Sequence, residues 1–91
     1  MSWRVYLLSC VDGSLYCGIS KDLEARVAQH NAGKGAKYTR SRLPVKLVAA
    51  SGELSRSDAL KVEHAVKRKP ASTKVDALKG RIDLQGEESL P

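Results

Sequence analysis

Two tyrosines, Tyr6 and Tyr16, lie ten positions apart on either side of a turn signal, in a chain with three tyrosines, one tryptophan and no phenylalanine. Rings this scarce ordinarily serve as core filler. If both face the same open surface beside cationic side chains, they become candidates for proton chemistry on an anionic substrate. Arg26 and His30 follow at i, i+4 on a helical pattern, so they rise from one side of that helix as neighbours. A guanidinium suits two phosphate oxygens at once, and an imidazole titrates near neutral pH. Glu63 interrupts an apolar stripe of Ala59, Leu60, Val62 and Val66. A carboxylate in that setting must be paired, protonated or bound to a cation. Two readings of it stay open: an edge-of-stripe acid paired with Lys67 at i+4, or a ligand for a hard ion such as Mg²⁺, which uses one carboxylate plus waters and substrate phosphate.

The charge balance names the class of partner. Sixteen Lys and Arg against ten Asp and Glu leave a net charge of +6. Lys34, Lys37, Arg40, Arg42 and Lys46 form a stretch free of acidic residues, and Lys67, Arg68 and Lys69 form a second cluster. Such patches attract phosphate backbones. A solvated surface explains one such cluster as well, but two in one small basic chain favour nucleic acid. Neither cluster lies on a strongly amphipathic helix with bulky apolar residues, so a membrane surface fits less well. Tyr38, inside the first cluster, serves either as a platform for a base or as a loop anchor. Cys10 and Cys17 make no disulfide framework and read as small apolar residues, which together with the lack of an export signal points to the reducing cytoplasm. No CxxC spacing joins His30 or His64 to a zinc site, and His64 turns about 100° away from Glu63 on a helix, toward the surface.

The elements that position these residues begin with a hairpin. Trp3 to Cys10 and Leu15 to Ser20 are strand-like, with Val11-Asp12-Gly13-Ser14 between them. A two-residue Asp-Gly loop would throw Tyr6 and Tyr16 onto opposite faces. A three-residue loop, Val11-Asp12-Gly13, with Gly13 left-handed, sets Cys10 opposite Ser14, Tyr6 opposite Gly18 and Tyr16 opposite Leu8. One face then reads Tyr6, Leu8, Cys10, Ser14, Tyr16, Gly18; the other reads Trp3, Val5, Leu7, Leu15, Cys17, Ile19 and is almost purely apolar. That segregation selects the longer loop, because a slip of one residue would destroy it. The tyrosines then share the more open face, and the missing side chain at Gly18 leaves room beside Tyr6 for a ligand.

A helix follows from Lys21 or Asp22 to Asn31, capped by Ser20 or Asp22 and closed by Asn31-Ala32-Gly33, with Leu23 and Val27 on the sheet. Residues Gly33 to Pro44 read as a basic loop and Val45 to Ala50 as a third strand. Ser55 or Ser57 caps a second helix that stops before Pro70; Ser72 opens a short third helix closed by Gly80, and 81–91 reads as a loose tail after a domain over 1–80.

Arg4-Val5-Tyr6, Tyr16-Cys17-Gly18, the line Arg26 to His30, and Ala59-Leu60-Lys61-Val62-Glu63 together resemble the motifs of the GIY-YIG nuclease domain, and the chain is especially similar to the small stand-alone bacterial type. The resemblance implies an α+β fold with a small three-stranded antiparallel sheet flanked by about three helices. It implies metal-dependent hydrolysis of DNA phosphodiester bonds, with single-stranded or branched DNA favoured. By matching position Tyr6 is the general base, Tyr16 positions water or phosphate, Arg26 stabilises the scissile phosphate, His30 assists proton transfer, and Glu63 holds Mg²⁺ or Mn²⁺. Tyr6 would then need a lowered pKa, with Arg26 and the metal as the sources of positive charge. Lys34, Lys37, Tyr38, Arg40, Arg42, Lys46, Lys67 and Arg68 would hold the nucleic acid. Arg4 replaces the first motif's glycine, Cys17 the second motif's isoleucine, and Thr73-Lys74-Val75 stands where many members carry an asparagine. A non-catalytic nucleic-acid-binding module, or a subunit docking on a larger repair or recombination protein, shares the same features.

Overall fold

The Val11-Asp12-Gly13 loop is closed by two backbone bonds, from the Cys10 N–H to the Ser14 carbonyl and from the Gly13 N–H to the Cys10 carbonyl, both at 2.9 Å. Gly13 is left-handed, with φ +86°, a conformation that a side chain resists. Asp12 locks the turn by accepting from the Ser14 N–H at 3.0 Å and the Ser14 hydroxyl at 2.6 Å. The hairpin joins β1 (Arg4–Ser9) to β2 (Leu15–Ser20) in the register expected of a three-residue loop, with Tyr6 opposite Gly18 and Leu8 opposite Tyr16.

The computed structural model describes residues 2–78, so Gly80 and the 81–91 segment lie outside the described residues. A third strand, β3 (Lys46–Ala50), pairs antiparallel with the far side of β1, giving the order β2-β1-β3. Helices α1 (Leu23–Asn31), α2 (Lys37–Arg40), α3 (Arg56–Lys67) and α4 over 71–78 complete the α+β fold. Asp22 caps α1 by accepting from the Ala25 N–H at 3.1 Å, and Ser55 caps α3 through the Asp58 N–H at 3.1 Å. Helix α2 corrects the expectation of a plain loop between Gly33 and Pro44. It is a single turn with no side-chain cap, held by the residues around it rather than by its own propensity.

Both sheet faces are covered. On one, Val5, Leu7 and Cys17 pack with Ala49, with Ala59, Val62 and Val66 of α3, and with Leu78 of α4. On the other, Tyr6, Leu8 and Cys10 pack with Val45, while Tyr16, Leu23, Val27 and Leu43 close over them. Each large side chain fully buried in this way contributes about 1.5–3 kcal/mol. The tyrosine face is therefore a second core and not an open surface, because α1 and the 33–45 segment fold back across it. Leu60 leaves the expected stripe and is 39% exposed. The end of α1 is tied to the start of β3 by Asn31, whose side-chain amide donates to the Val45 carbonyl at 3.1 Å and accepts from the Val45 N–H at 2.8 Å.

Candidate active site

Tyr6, Arg26 and His30, far apart in sequence, form one hydrogen-bonded chain. Strand β1 points the Tyr6 ring under α1, where the Arg26 Nε–H donates to the Tyr6 Oη at 3.3 Å. Tyr6 Oη lies 3.1 Å from His30 Nε2, and His30 Nδ1 lies 2.8 Å from Thr39 Oγ1. The Thr39 hydroxyl has a single hydrogen and donates it to the Ala36 carbonyl at 2.9 Å. The network therefore assigns the imidazole hydrogen to Nδ1 and leaves Nε2 to accept from the Tyr6 hydroxyl. The Ala36 N–H also approaches Nδ1, but at 3.4 Å it is outweighed by the shorter Thr39 contact. The polarity runs from Arg26 through Tyr6 and His30 to Thr39 and the α2 backbone.

This chain is buried. Tyr6 is 1% exposed, His30 and Thr39 0%. Burial, and then the positive charge of Arg26, holds the His30 pKa below its ordinary value, so the neutral acceptor form prevails near pH 7. Burial likewise raises the Tyr6 pKa, and the Arg26 hydrogen bond only partly offsets it. Arg26 acts in the expected direction, but desolvation outweighs the guanidinium, so the net shift is upward where a lowered value was required of Arg26 and the metal together.

Two glycines make the packing possible. A Cβ at Gly18 would lie 2.5 Å from Tyr6 Oη and 2.7 Å from Cζ. The space beside Gly18 thus holds the Tyr6 ring itself, where a ligand was expected. A Cβ at Gly35 would collide with the His30 ring and backbone, so Gly35 lets the segment before α2 close over the imidazole. Gly35 and Thr39 carry no motif signal in the sequence, since their roles exist only once α2 has docked.

Tyr16 adjoins the chain at the edge strand β2, with its ring centroid 6.4 Å from Tyr6, 5.3 Å from His30 and 6.1 Å from the nearly parallel Tyr38 ring. It is half-buried and leads from the chain to a cavity of about 250 Å³ lined by Leu15, Tyr16, Cys17, Tyr38, Lys67 and Lys74. Glu63 reaches this edge from the opposite side of the sheet. Its Oε2 lies 3.2 Å from Lys67 Nζ, the i, i+4 pairing that was one of its two readings. It stands outside the hydrogen-bonded chain of Tyr6, Arg26 and His30. The Cys17 thiol is pushed up to about 11 by burial and by the nearby Glu63 carboxylate, which fits an inert core thiol. Lys74 belongs to the Thr73-Lys74-Val75 segment, which lacks the asparagine of the resemblance; its Nζ donates to the Val66 and Lys67 carbonyls at 3.0 and 2.8 Å and closes the C-terminus of α3.

Among the described residues no three His, Cys, Asp or Glu side chains gather into a cation cage. A lone carboxylate such as Glu63, paired with a lysine that lines the cavity, still fits a hard divalent ion, which keeps most of its waters and shares phosphate oxygens; it does not fit zinc. Lys34, Lys37, Arg40, Lys46, Lys67 and Arg68 are exposed, as phosphate contacts require. Arg42 is differently employed. Its Nε donates to Asp12 at 2.9 Å, its Nη1 to the Tyr38 carbonyl at 2.8 Å, and its guanidinium lies 3.9 Å from the Tyr38 ring centroid. It clips the hairpin turn to α2 and fixes Tyr38, which remains 40% exposed.

Residues 2–76 match the family model of the GIY-YIG catalytic domain. A UPF0213 protein of Cupriavidus pinatubonensis is 51% identical over 73 residues, covering 80% of this chain and 81% of its own. A UPF0213 protein of Streptococcus pneumoniae is 48% identical over 79 residues, covering 87% and 80%. A solution NMR structure of a protein from E. faecalis is similar with a TM-score of 0.61 and 39% identity, over 88% of this chain and 85% of that one.

Proposed function

Because the chain belongs to the GIY-YIG catalytic-domain family, we propose that it is a divalent-metal-dependent endonuclease that hydrolyses DNA phosphodiester bonds, with single-stranded or branched DNA favoured. The observation that carries this reading is the hydrogen-bonded chain from the half-buried Arg26 to the buried Tyr6, His30 and Thr39. A standing phenolate at pH 7 costs about 4 kcal/mol even for a tyrosine with its ordinary pKa of about 10, and burial adds to that. A relay avoids this cost. As the water oxygen bonds to phosphorus and the bond from phosphorus to the leaving sugar oxygen breaks, Tyr6 Oη takes the water's proton and passes its own to His30 Nε2. The imidazolium is held by its Nδ1–H bond to Thr39 and returns the proton through Tyr6 to solvent, from which the leaving oxygen is protonated. Arg26 Nε–H supports the oxygen throughout; its Nη1 donates to Gln29 Oε1 at 2.6 Å, and its Nη2 suits a non-bridging oxygen of the scissile phosphate. Tyr16 orients the water and phosphate at the β2 edge. Glu63 would hold the Mg²⁺ or Mn²⁺ ion, which supplies charge neutralisation at the phosphate. Lys34, Lys37, Arg40, Lys46, Lys67 and Arg68 hold the backbone, and Tyr38 offers a base a face.

Two buried free cysteines suit the reducing cytoplasm, and no helix among the described residues is long and apolar enough to cross a membrane. The test is a cleavage panel of single-stranded, duplex, flap and junction DNA in Mg²⁺ and in Mn²⁺, with Glu63→Ala beside the wild type. Cleavage by the wild type and loss in the variant are expected. Four uncut substrates would overturn the reading. The Glu63–Lys67 ion pair favours a second one, a nucleic-acid-binding module without catalysis, whose signature is salt-sensitive binding unchanged in Glu63→Ala.

A further inference from the structure

Lys67 joins two features that the relay does not use. It is the ion-pair partner of Glu63, at 3.2 Å, and it lines the cavity at the β2 edge with Tyr16, Tyr38 and Lys74. Its side chain is 51% exposed, while that of Glu63 is 18% exposed. The half-buried Glu63 is therefore the less mobile partner, and the exposed Lys67 is free to swing on its four-carbon stem. Lys74 shares the cavity wall but is committed to the Val66 and Lys67 carbonyls. The cavity thus offers an anion one fixed cation, one movable cation and two nearly parallel phenol rings.

Lys67 cannot neutralise Glu63 and a phosphate equally well at the same time. An ammonium is a compact point charge that pairs with whichever anion is nearer and less hydrated. While it pairs with Glu63 it fills the role that a divalent cation would take, because the carboxylate is compensated and one of its oxygens is occupied. We propose that the β2-edge cavity binds a nucleic-acid phosphate through Lys67, and that drawing Lys67 off Glu63 opens this carboxylate to the divalent cation. The inference rests on the reading of Glu63 as the metal-holding residue and adds an order to it: substrate first, metal second. Linkage makes the effect reciprocal, so that the cation tightens nucleic-acid binding by the same factor. In the free protein the carboxylate stays compensated.

The experiment follows Mn²⁺ by paramagnetic broadening of the amides around Glu63 in ¹⁵N spectra of the whole chain, with and without a phosphorothioate-linked tetrathymidylate. Wild type, Lys67→Met, Lys67→Gln, Glu63→Gln and Lys61→Met are compared. Lys67→Met keeps the apolar stem and removes the charge; Lys61→Met removes one charge elsewhere on α3 and controls for net charge. Without oligonucleotide, Lys67→Met and Lys67→Gln should bind Mn²⁺ at least about fivefold more tightly than wild type, the lower end of typical coupling, with Lys61→Met close to wild type. The oligonucleotide should close that gap for wild type and change little for Lys67→Met. Equal Mn²⁺ affinity in wild type and both Lys67 variants would overturn the exchange while leaving Glu63 as a metal ligand. Broadening that is absent in every state, or that survives Glu63→Gln, would overturn the metal-holding role of Glu63 and the exchange with it.

Discussion

Gly18→Ala separates two explanations of a glycine inside a strand. If Gly18 were an ordinary strand glycine, alanine would stabilise the protein by about 0.5–1 kcal/mol, because glycine loses more backbone entropy on folding. The structure predicts the opposite sign. The added Cβ would stand 2.5 Å from Tyr6 Oη, 2.7 Å from Cζ and 3.1 Å from Cε2, whereas carbon atoms settle at about 3.5–4.0 Å. The ring must therefore shift by about 1 Å, but it is 1% exposed and packed among Leu8, Cys10 and Val45. Overpacking of this kind costs about 1–3 kcal/mol. The shift also pulls Oη away from Arg26 Nε and His30 Nε2, now at 3.3 and 3.1 Å, at about 0.5–1.5 kcal/mol for each bond. The sum is about 2–6 kcal/mol, which lowers Tm by roughly 8–48 °C in a domain of this size. Urea and thermal unfolding measure it, and a Tyr6→Leu background supplies the control: without the phenol ring, Gly18→Ala should become nearly neutral. Cleavage should fall at least about tenfold, equivalent to about 1.4 kcal/mol in the barrier. A rise in Tm on Gly18→Ala would refute the placement of the ring and the relay built on it.

Thr39→Val removes the acceptor from a buried imidazole N–H, costing about 1–3 kcal/mol, and the ¹⁵N shifts of His30 should report loss of the fixed Nδ1–H tautomer together with slower cleavage. The pH dependence of stability should have two edges. The folded His30 pKa lies below the unfolded value of about 6.5, so its contribution is full above that pH and is lost as pH falls through the folded value; the folded Tyr6 pKa lies above about 10, so its contribution is full below that pH and is lost as pH rises through the folded value. The acid edge should flatten in His30→Gln when urea midpoints are compared across pH. Lys37→Ala and Arg40→Ala should each reduce the salt slope of DNA binding by about one, measured by anisotropy, while Arg42→Ala should lower Tm instead, since Arg42 is already paired with Asp12 and Tyr38.

The hairpin register was legible because strand alternation is local: only the three-residue loop makes one face apolar, and the observed pairing follows it residue by residue. The openness of the other face was not legible, because it depends on how α1 and the 33–45 segment fold back. For the same reason the sequence marks the gap at Gly18 but not its occupant, which is the Tyr6 ring. A missing Cβ marks space, but the ring that fills it is placed by its rotamer and its neighbours. Glu63 showed its i, i+4 partner in the sequence, and the structure makes that pair. Lys74 gained its place at the cavity only through the packing of α4 on the end of α3. The Tyr6 pKa turned on a balance between desolvation and a guanidinium, and only the degree of burial decides its sign.

Tyr6 belongs at once to a hydrophobic cluster and to a proton path, and this overlap explains why the site is assembled from core positions. A relay between a phenol and an imidazole requires that bulk water not compete for either proton, so both groups are kept from bulk solvent and Tyr6 Oη meets only the attacking water. Drying them raises the phenol's pKa and lowers the imidazole's, which moves each toward its neutral form and so toward a neutral hydrogen bond across the 3.1 Å between Tyr6 Oη and His30 Nε2. The same burial that makes Tyr6 a poor free base thus makes it a good link in a chain. Positive charge is placed on either side of the relay, with Arg26 at the phenol oxygen and Lys67 at the β2 edge, and of the two only Lys67 is exposed enough to move when an anion arrives. The division follows from the topology: α1 lies over the tyrosine face of the sheet, burying His30 and half-burying Arg26, whereas the C-terminal turn of α3 and the start of α4 meet at the edge strand, where a side chain can serve two partners in turn.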